Sequence, residues 1–251
     1  MLNRLRVSIA KRVLPKAAGI RVVSKRIADS LKTSGINLRA ESAILPVFSD
    51  LERFEEPPAL DLHNKYPKFK FIILMVSRLA KEKNIPLALE ALALVVKKFR
   101  QAGLVVVGDG PEEGKLRRLT VSLGIADNVI FEPWQKEIGS YYKTANMLLL
   151  TSLYEGYGLV LAEAAAAGCP FVSTDVGIAR EICGKQYEKF VCPVGDEKCL
   201  AKNILNLLGD NYARSQYSLD LKLWAESRDF PNLTEYVNRY RQILEDCLIK
   251  S

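Results

Sequence analysis

Histidine is almost missing from this sequence: its 251 residues include one, His63. His63 falls in a Pro-rich charged stretch that reads as a linker, which argues against a His-based triad or acid–base pair. Cysteine is sparse and odd in number, at Cys169, Cys183, Cys192, Cys199 and Cys247, with no pair spaced C-x-x-C. Neither a zinc site nor a disulfide framework is expected from such a set, and a reducing cytosol fits it. Long apolar runs are lacking too; none reaches the ~18–20 residues that span a bilayer. Arg4, Arg6, Lys11 and Arg12 interrupt Met1–Lys16, so this stretch has no leader-like apolar core.

Acidic residues are scarce at one end only. Residues 1–40 hold ten Lys or Arg against one acid, Asp29, a balance of +9. The overall charge is +7, so the remainder is slightly acidic at −2. A body of that kind is no general polyanion binder, and no nucleic-acid partner is expected. Within Leu2–Leu14, Leu2, Leu5, Ile9 and Val13 recur at helical spacing, with Arg4, Lys11 and Arg12 off that face. A basic amphipathic helix suits an anionic membrane surface, or the cover of a neighbouring domain; both readings stay open.

From Phe71 onward, strand-like and helix-like segments alternate. Phe71–Ser77, Leu104–Val107, Val129–Phe131, Met147–Thr151, Phe171–Thr174 and Phe190–Cys192 read as strands. Ile85–Phe99, a helix opening on Pro111, Glu137–Ala145, Leu159–Ala167, Glu197–Leu208, Tyr212–Glu226 and Leu233–Ile249 read as helices. This alternation predicts an α/β fold: a Rossmann-like parallel sheet with helices on both faces. Residues 1–45 stand apart as a helical and strand remnant, and Asp50–Pro67, with Pro57, Pro58 and Pro67, reads as a linker or long loop. The expected divisions are 1–47, 48–225 and 226–251.

Three constellations carry chemistry. After the first strand, Arg78 and Lys83 stand at the carboxyl end, where open α/β sheets bind ligands; a planar fork and a point charge together suit a diphosphate. Thr151–Glu163 combines Gly156 and Gly158 with a helix start at Gly158, Leu159 and Val160, whose outward N–H groups suit a phosphate. Glu155 and Glu163 flank that start, and carboxylates accept hydrogen bonds from sugar or ribose hydroxyls. The third stretch, Val107-Gly-Asp-Gly-Pro-Glu-Glu-Gly114, imitates a dinucleotide fingerprint, with Glu132 at the spacing of a ribose acid. Glu113 occupies its third glycine position, so Gly108 reads as part of a tight turn lining the cleft, and a nicotinamide dehydrogenase is the weaker alternative.

Ser77-Arg-Leu-Ala-Lys-Glu-Lys-Asn84, Val106-Val-Gly-Asp-Gly-Pro111, Glu155-Gly-Tyr-Gly-Leu-Val-Leu-Ala-Glu163-Ala164 and Ala167-Gly-Cys-Pro170 resemble the group 1 glycosyltransferases, retaining enzymes of GT-B fold. The resemblance spans about residues 70–195. It implies two Rossmann-like domains facing a cleft and a nucleotide-sugar donor held mainly by the carboxyl-terminal one. No cofactor and no metal are implied. It assigns Arg78 and Lys83 to the donor diphosphate, Glu155 to the transferred sugar, Glu163 to the ribose, and the Gly158-Leu159-Val160 backbone to the phosphate. Trp134 falls where the family lies against the base, and a packing role is the competing reading.

Ile20–Ser24 resembles the last strand of the family's amino-terminal domain, and Ala43–Asp50 its hinge, where Pro46-Val47-Phe48 replaces the usual Pro-Asn-Gly. The segment near Phe230–Leu248 resembles the helix that crosses back to that domain. The expected function is therefore retaining glycosyl transfer from a nucleoside-diphosphate sugar, with an amino-terminal half or partner chain supplying the acceptor site. A nucleotide-sugar-binding module that does not transfer, or a gene fragment, is the alternative. The expected location is cytoplasmic, with a peripheral contact on the membrane.

Overall fold

The computed structural model describes residues 2–36, 38, 42–54, 56–228 and 232–249; of residues 2–6, 248 and 249 it describes the backbone alone. The chain divides into two units, Met1–Asp50 with Phe230–Ser251, and Leu51–Asp229. The sequence places the second unit at 48–225.

The first unit begins with helix α1 (Leu2–Val13), strand β1 (Ile20–Val22), helix α2 (Lys25–Thr33) and strand β2 (Ser42–Ile44). Ser24 caps α2 by accepting a hydrogen bond from the Ile27 amide at 3.3 Å. β1 and β2 pair in parallel, Val22 opposite Ile44. On α1, Val7, Ile9 and Val13 are exposed. The side chains of Leu2, Arg4 and Leu5, expected to share or flank that face, lie outside the described residues.

The second unit runs α3 (Leu62–Lys65), β3 (Phe71–Val76), α4 (Ile85–Val96), β4 (Ala102–Val107), α5 (Glu113–Ser122), β5 (Val129–Glu132), α6 (Ile138–Thr144) and β6 (Met147–Leu150). It continues α7 (Leu159–Ala167), β7 (Phe171–Thr174), α8 (Ala179–Cys183), β8 (Val191–Cys192), α9 (Glu197–Gly209) and α10 (Asn211–Glu226). Helix α11 (Leu233–Ile249) then belongs to the first unit. There Arg21 ties β1 to α11: it donates to the Leu45 and Pro46 carbonyls and to the Tyr236 hydroxyl, and lies over the Tyr240 ring.

The six strands of the second unit form a parallel sheet in the order β5-β4-β3-β6-β7-β8. Its strands are apolar runs: all of β4 and β6 are buried, as are Ile72–Met75 in β3. Helix α4 packs on α5 and α9, and α7 packs on α6, α8 and α10, so helices cover the sheet. Because every strand is parallel, all carboxyl ends reach one edge. The chain order reverses between β3 and β6, which opens the crevice where such sheets bind ligands.

Three expectations are corrected. The stretch 50–67 is no open linker: Phe54 and Leu62 are fully buried, and His63 sits in α3. Pro111 is not the first helical residue; the Glu112 amide bonds the Leu79 carbonyl, and α5 opens at Glu113. Cys192 and Cys199, expected to be unpaired, form a disulfide, because the turn from β8 into α9 brings two residues seven apart in sequence together.

Candidate active site

The crevice is built from the loops after β3, β4, β5, β6 and β7. Asn84 follows the β3 loop in the left-handed region, at φ 47, which its short amide side chain tolerates and which turns the chain into α4. The β3 and β6 loops are stitched together from below. The Thr151 hydroxyl donates to the Lys83 and Asn84 carbonyls at 3.0 Å each, and the Leu153 amide donates to the Glu82 carbonyl at 2.9 Å. The Thr174 hydroxyl holds the Ser152 carbonyl from β7 at 2.8 Å. Thr151, Ser152, Ser173 and Thr174 are fully buried, so the floor of the crevice is a layer of satisfied hydroxyls.

On this floor the structure brings two of the expected site residues into contact. Lys83 donates to Glu155 at 2.6 Å, and the Ser152 hydroxyl donates to the same carboxylate oxygen at 2.7 Å. Both partners are largely buried, with side chains 24% and 14% exposed. Arg78 does not join them: its side chain is 68% exposed and pairs with Glu82. Gly156 sits half-buried in the β6 loop. Gly158 caps α7 at φ 91, and Leu159 and Val160 open the helix, where the first amides have no intrahelical partner. That end of α7 is an anion-binding geometry beside the Lys83–Glu155 pair.

Glu163 lies one turn further along α7, with its side chain 14% exposed. It accepts the Tyr142 hydroxyl at 2.8 Å, and Arg53 approaches its other oxygen at 3.9 Å. Burial pushes the Glu163 carboxyl up; the Tyr142 hydrogen bond and the Arg53 charge pull against it. Burial beside this carboxylate raises the Tyr142 phenol well above its ordinary value.

The β4 loop is fixed by Gly108, at φ 137, whose amide donates to the Glu132 carbonyl; a Cβ there would stand 2.2 Å from the Ser77 carbonyl oxygen. Trp134 is held by its backbone, the amide donating to Asp109 at 2.9 Å, while its side chain leaves it 70% exposed. The packing reading of Trp134 fails on that exposure.

Glu132 is not open to a ligand either. It is 7% exposed and accepts hydrogen bonds from Lys65 at 2.8 Å and Tyr141 at 2.5 Å, and from Tyr66. Burial would raise its pKa, but these three donors outweigh it and hold the carboxyl low. A ribose acid of the dinucleotide type has no vacancy there, and β4 does not open the sheet's first βαβ unit, so the dehydrogenase reading loses both supports. Among the described residues, no group of three or more His, Cys, Asp or Glu side chains is placed to hold a metal ion.

The sequence pattern of the family described as Glycosyl transferases group 1 matches residues 61–220, well over half of the chain. The chain belongs to the group 1 glycosyltransferases. Similar relatives include the N-acetyl-alpha-D-glucosaminyl L-malate synthase of Bacillus anthracis, 29% identical over 177 residues, 70% of this chain and 46% of that protein. The alpha-monoglucosyldiacylglycerol synthase of Streptococcus pneumoniae is 32% identical over 164 residues, 62% of this chain and 37% of that protein. This group 1 chain thus spans less than half the length of either relative.

Solved structures agree on the fold. Sucrose-phosphate synthase from Thermosynechococcus elongatus has a TM-score of 0.81 at 23% identity over 99% of this chain and 63% of that one. Anabaena HepE, solved in complex with UDP and glucose, has a TM-score of 0.80 at 20% identity over 96% and 66%. The family segment holds every expected site residue, from Arg78 to Glu163. Sequence reasoning missed Tyr142, Arg53, Ser152 and Asp109. Tyr142 reads as one more apolar position of an amphipathic helix, and Arg53 sits in a stretch that reads as linker.

Proposed function

We propose that this chain holds the donor side of a retaining glycosyl transfer, in which a sugar moves from a nucleoside diphosphate to an acceptor. The observation that carries the reading is the largely buried Lys83–Glu155 pair beside the opening of α7, at the point where the sheet order reverses. In the free protein the cation and the carboxylate satisfy each other. An incoming diphosphate takes Lys83 and the Leu159 and Val160 amides, and Arg78 turns from Glu82 to join it. Glu155 is then released to accept hydrogen bonds from the hydroxyls of the transferred sugar. Glu163 takes the ribose and Trp134 lies against the base, with Gly108 keeping the backbone low beneath it.

Catalysis in this reading is electrostatic. Charge grows on the leaving diphosphate as the glycosidic bond breaks, and fixed donors aimed there are worth more than mobile water. Lys83, Arg78 and the helix amides supply that compensation without a divalent metal or another cofactor. UDP and glucose in the Anabaena HepE structure support a nucleotide-sugar donor, and the family resemblance supports retention. The acceptor side belongs to sequence outside these residues or to a partner chain.

The test is transfer from radiolabelled UDP-, GDP- and ADP-sugars, by the chain alone and with the amino-terminal half of a group 1 relative supplied in trans. The reading expects label to reach an acceptor only with the added half, as the α-anomer from an α-linked donor. Robust turnover by the chain alone contradicts the missing acceptor side; a β-linked product contradicts retention.

A further inference from the structure

Glu163 could have met the crevice with a mobile carboxylate, as exposed acids do. Instead one oxygen is hydrogen-bonded and the other faces a cation. Oε2 accepts the hydroxyl of Tyr142, a fully buried side chain on α6, and Oε1 faces the Arg53 guanidinium from the short turn Glu52–Phe54. This arrangement is itself braced. Phe54, fully buried, packs edge-on against the Tyr142 ring with centroids 5.6 Å apart, and the Arg53 guanidinium lies over the Phe54 ring at 4.8 Å. Three side chains from two elements therefore surround one carboxylate.

An ionised carboxylate offers about four acceptor directions, two on each oxygen. Tyr142 uses one on Oε2, and Arg53 attracts Oε1 without reaching hydrogen-bond distance. Each oxygen keeps a direction for another donor. A pair of neighbouring hydroxyls is the ligand that matches two adjacent acceptors of fixed spacing, and the two hydroxyls of a ribose are such a pair. We propose that Tyr142 and Arg53 are positioning residues for nucleoside recognition: by orienting Glu163 they set it to accept both ribose hydroxyls at once. The inference rests on the donor-site reading above and goes beyond it in naming what makes Glu163 selective for a ribose.

A buried, well-packed tyrosine could equally serve the fold alone, so the test must separate the two roles. The measurement is calorimetric affinity of the full chain for whichever of UDP, GDP and ADP binds best, and for the 2′,3′-dideoxy form of the same nucleotide. Tyr142→Phe keeps the ring and removes the hydroxyl. It should weaken the ribonucleotide roughly tenfold, the scale of a hydrogen bond to a charged group, and change the dideoxynucleotide by less than about twofold. In a Glu163→Gln background the Tyr142→Phe change should lose its effect, as expected of two residues acting through one contact. Arg53→Ala should show the same preference at smaller size, and Arg53→Lys should restore part of it.

Equal losses for both nucleotides, or no loss for either, overturn the positioning role while leaving the donor site intact. If Tyr142→Phe does not fold, the ratio of the two affinities in Arg53→Ala decides, and an unchanged ratio overturns the proposal. Failure of the wild-type chain to bind all three ribonucleotides overturns the donor-site reading, and this inference with it.

Discussion

Burial pushes the Glu163 carboxyl above its ordinary value of 4.5, even with Tyr142 and Arg53 beside it. A raised carboxyl pKa means the folded chain keeps a proton that the unfolded chain has released. Stability then falls as pH rises through the window between the ordinary and the raised value. Near neutral pH Glu163 therefore costs stability, which fits a group kept for binding rather than for the fold. Glu163→Gln should raise the melting temperature near neutral pH and flatten its climb on acidification, while weakening nucleoside diphosphate roughly tenfold. Thermal melting across pH, paired with titration of the nucleotide, checks both halves. A lower melting temperature near neutral pH would show that Glu163 serves the fold.

Elements were legible in the sequence where one local rule decided them. Strands β3 and β4 are unbroken apolar runs, as strands buried on both faces must be. The bounds of α7 fall where Gly158 and Gly168-Cys169-Pro170 punctuate the chain. What escaped depends on contacts between distant residues. Nothing near Phe54 says that it will pack on Tyr142, so 50–67 reads as linker. Pro111 looks like a helix start until the Leu79 carbonyl captures the Glu112 amide. The site followed the same division. Glu155, Gly158 and Glu163 were visible as a spaced motif, and so was Lys83, whereas Tyr142 and Arg53, the partners of Glu163, come from other elements. Gly108 shows how tightly these loops depend on each other. Alanine there would meet the Ser77 carbonyl at 2.2 Å and sit at φ 137, a region that side chains avoid. Gly108→Ala should cost roughly 2–4 kcal/mol, read from urea unfolding, through strain and displacement of the β3 loop. A cost near zero would mean that the two loops are not locked together.

Across the molecule, positive charge concentrates in the first unit, where α1 also exposes apolar side chains. Residues 1–40 carry the +9 balance, and Val7, Ile9 and Val13 of α1 are exposed. Among the described residues, no helix is long and apolar enough to cross a membrane. A peripheral contact of α1 with anionic lipid is the proposal that joins these features, with each base near the surface worth about 1 kcal/mol. Co-sedimentation should show binding to anionic vesicles and not to neutral ones, a fall with added salt, and loss on removing residues 1–16. Salt-insensitive self-association without vesicle binding would instead assign the exposed face to another protein surface.

Lys83, Arg78 and the opening of α7 are proposed as a diphosphate site. The decisive measurement is calorimetric titration of the purified chain with UDP, GDP and ADP, with magnesium and then with a chelator. At least one nucleotide should bind equally well in both conditions, and Lys83→Ala and Arg78→Ala should each cost about 1.5–3 kcal/mol of that affinity. A folded chain that binds none of the three, or binds undiminished without Lys83 and Arg78, would rule out a diphosphate site there.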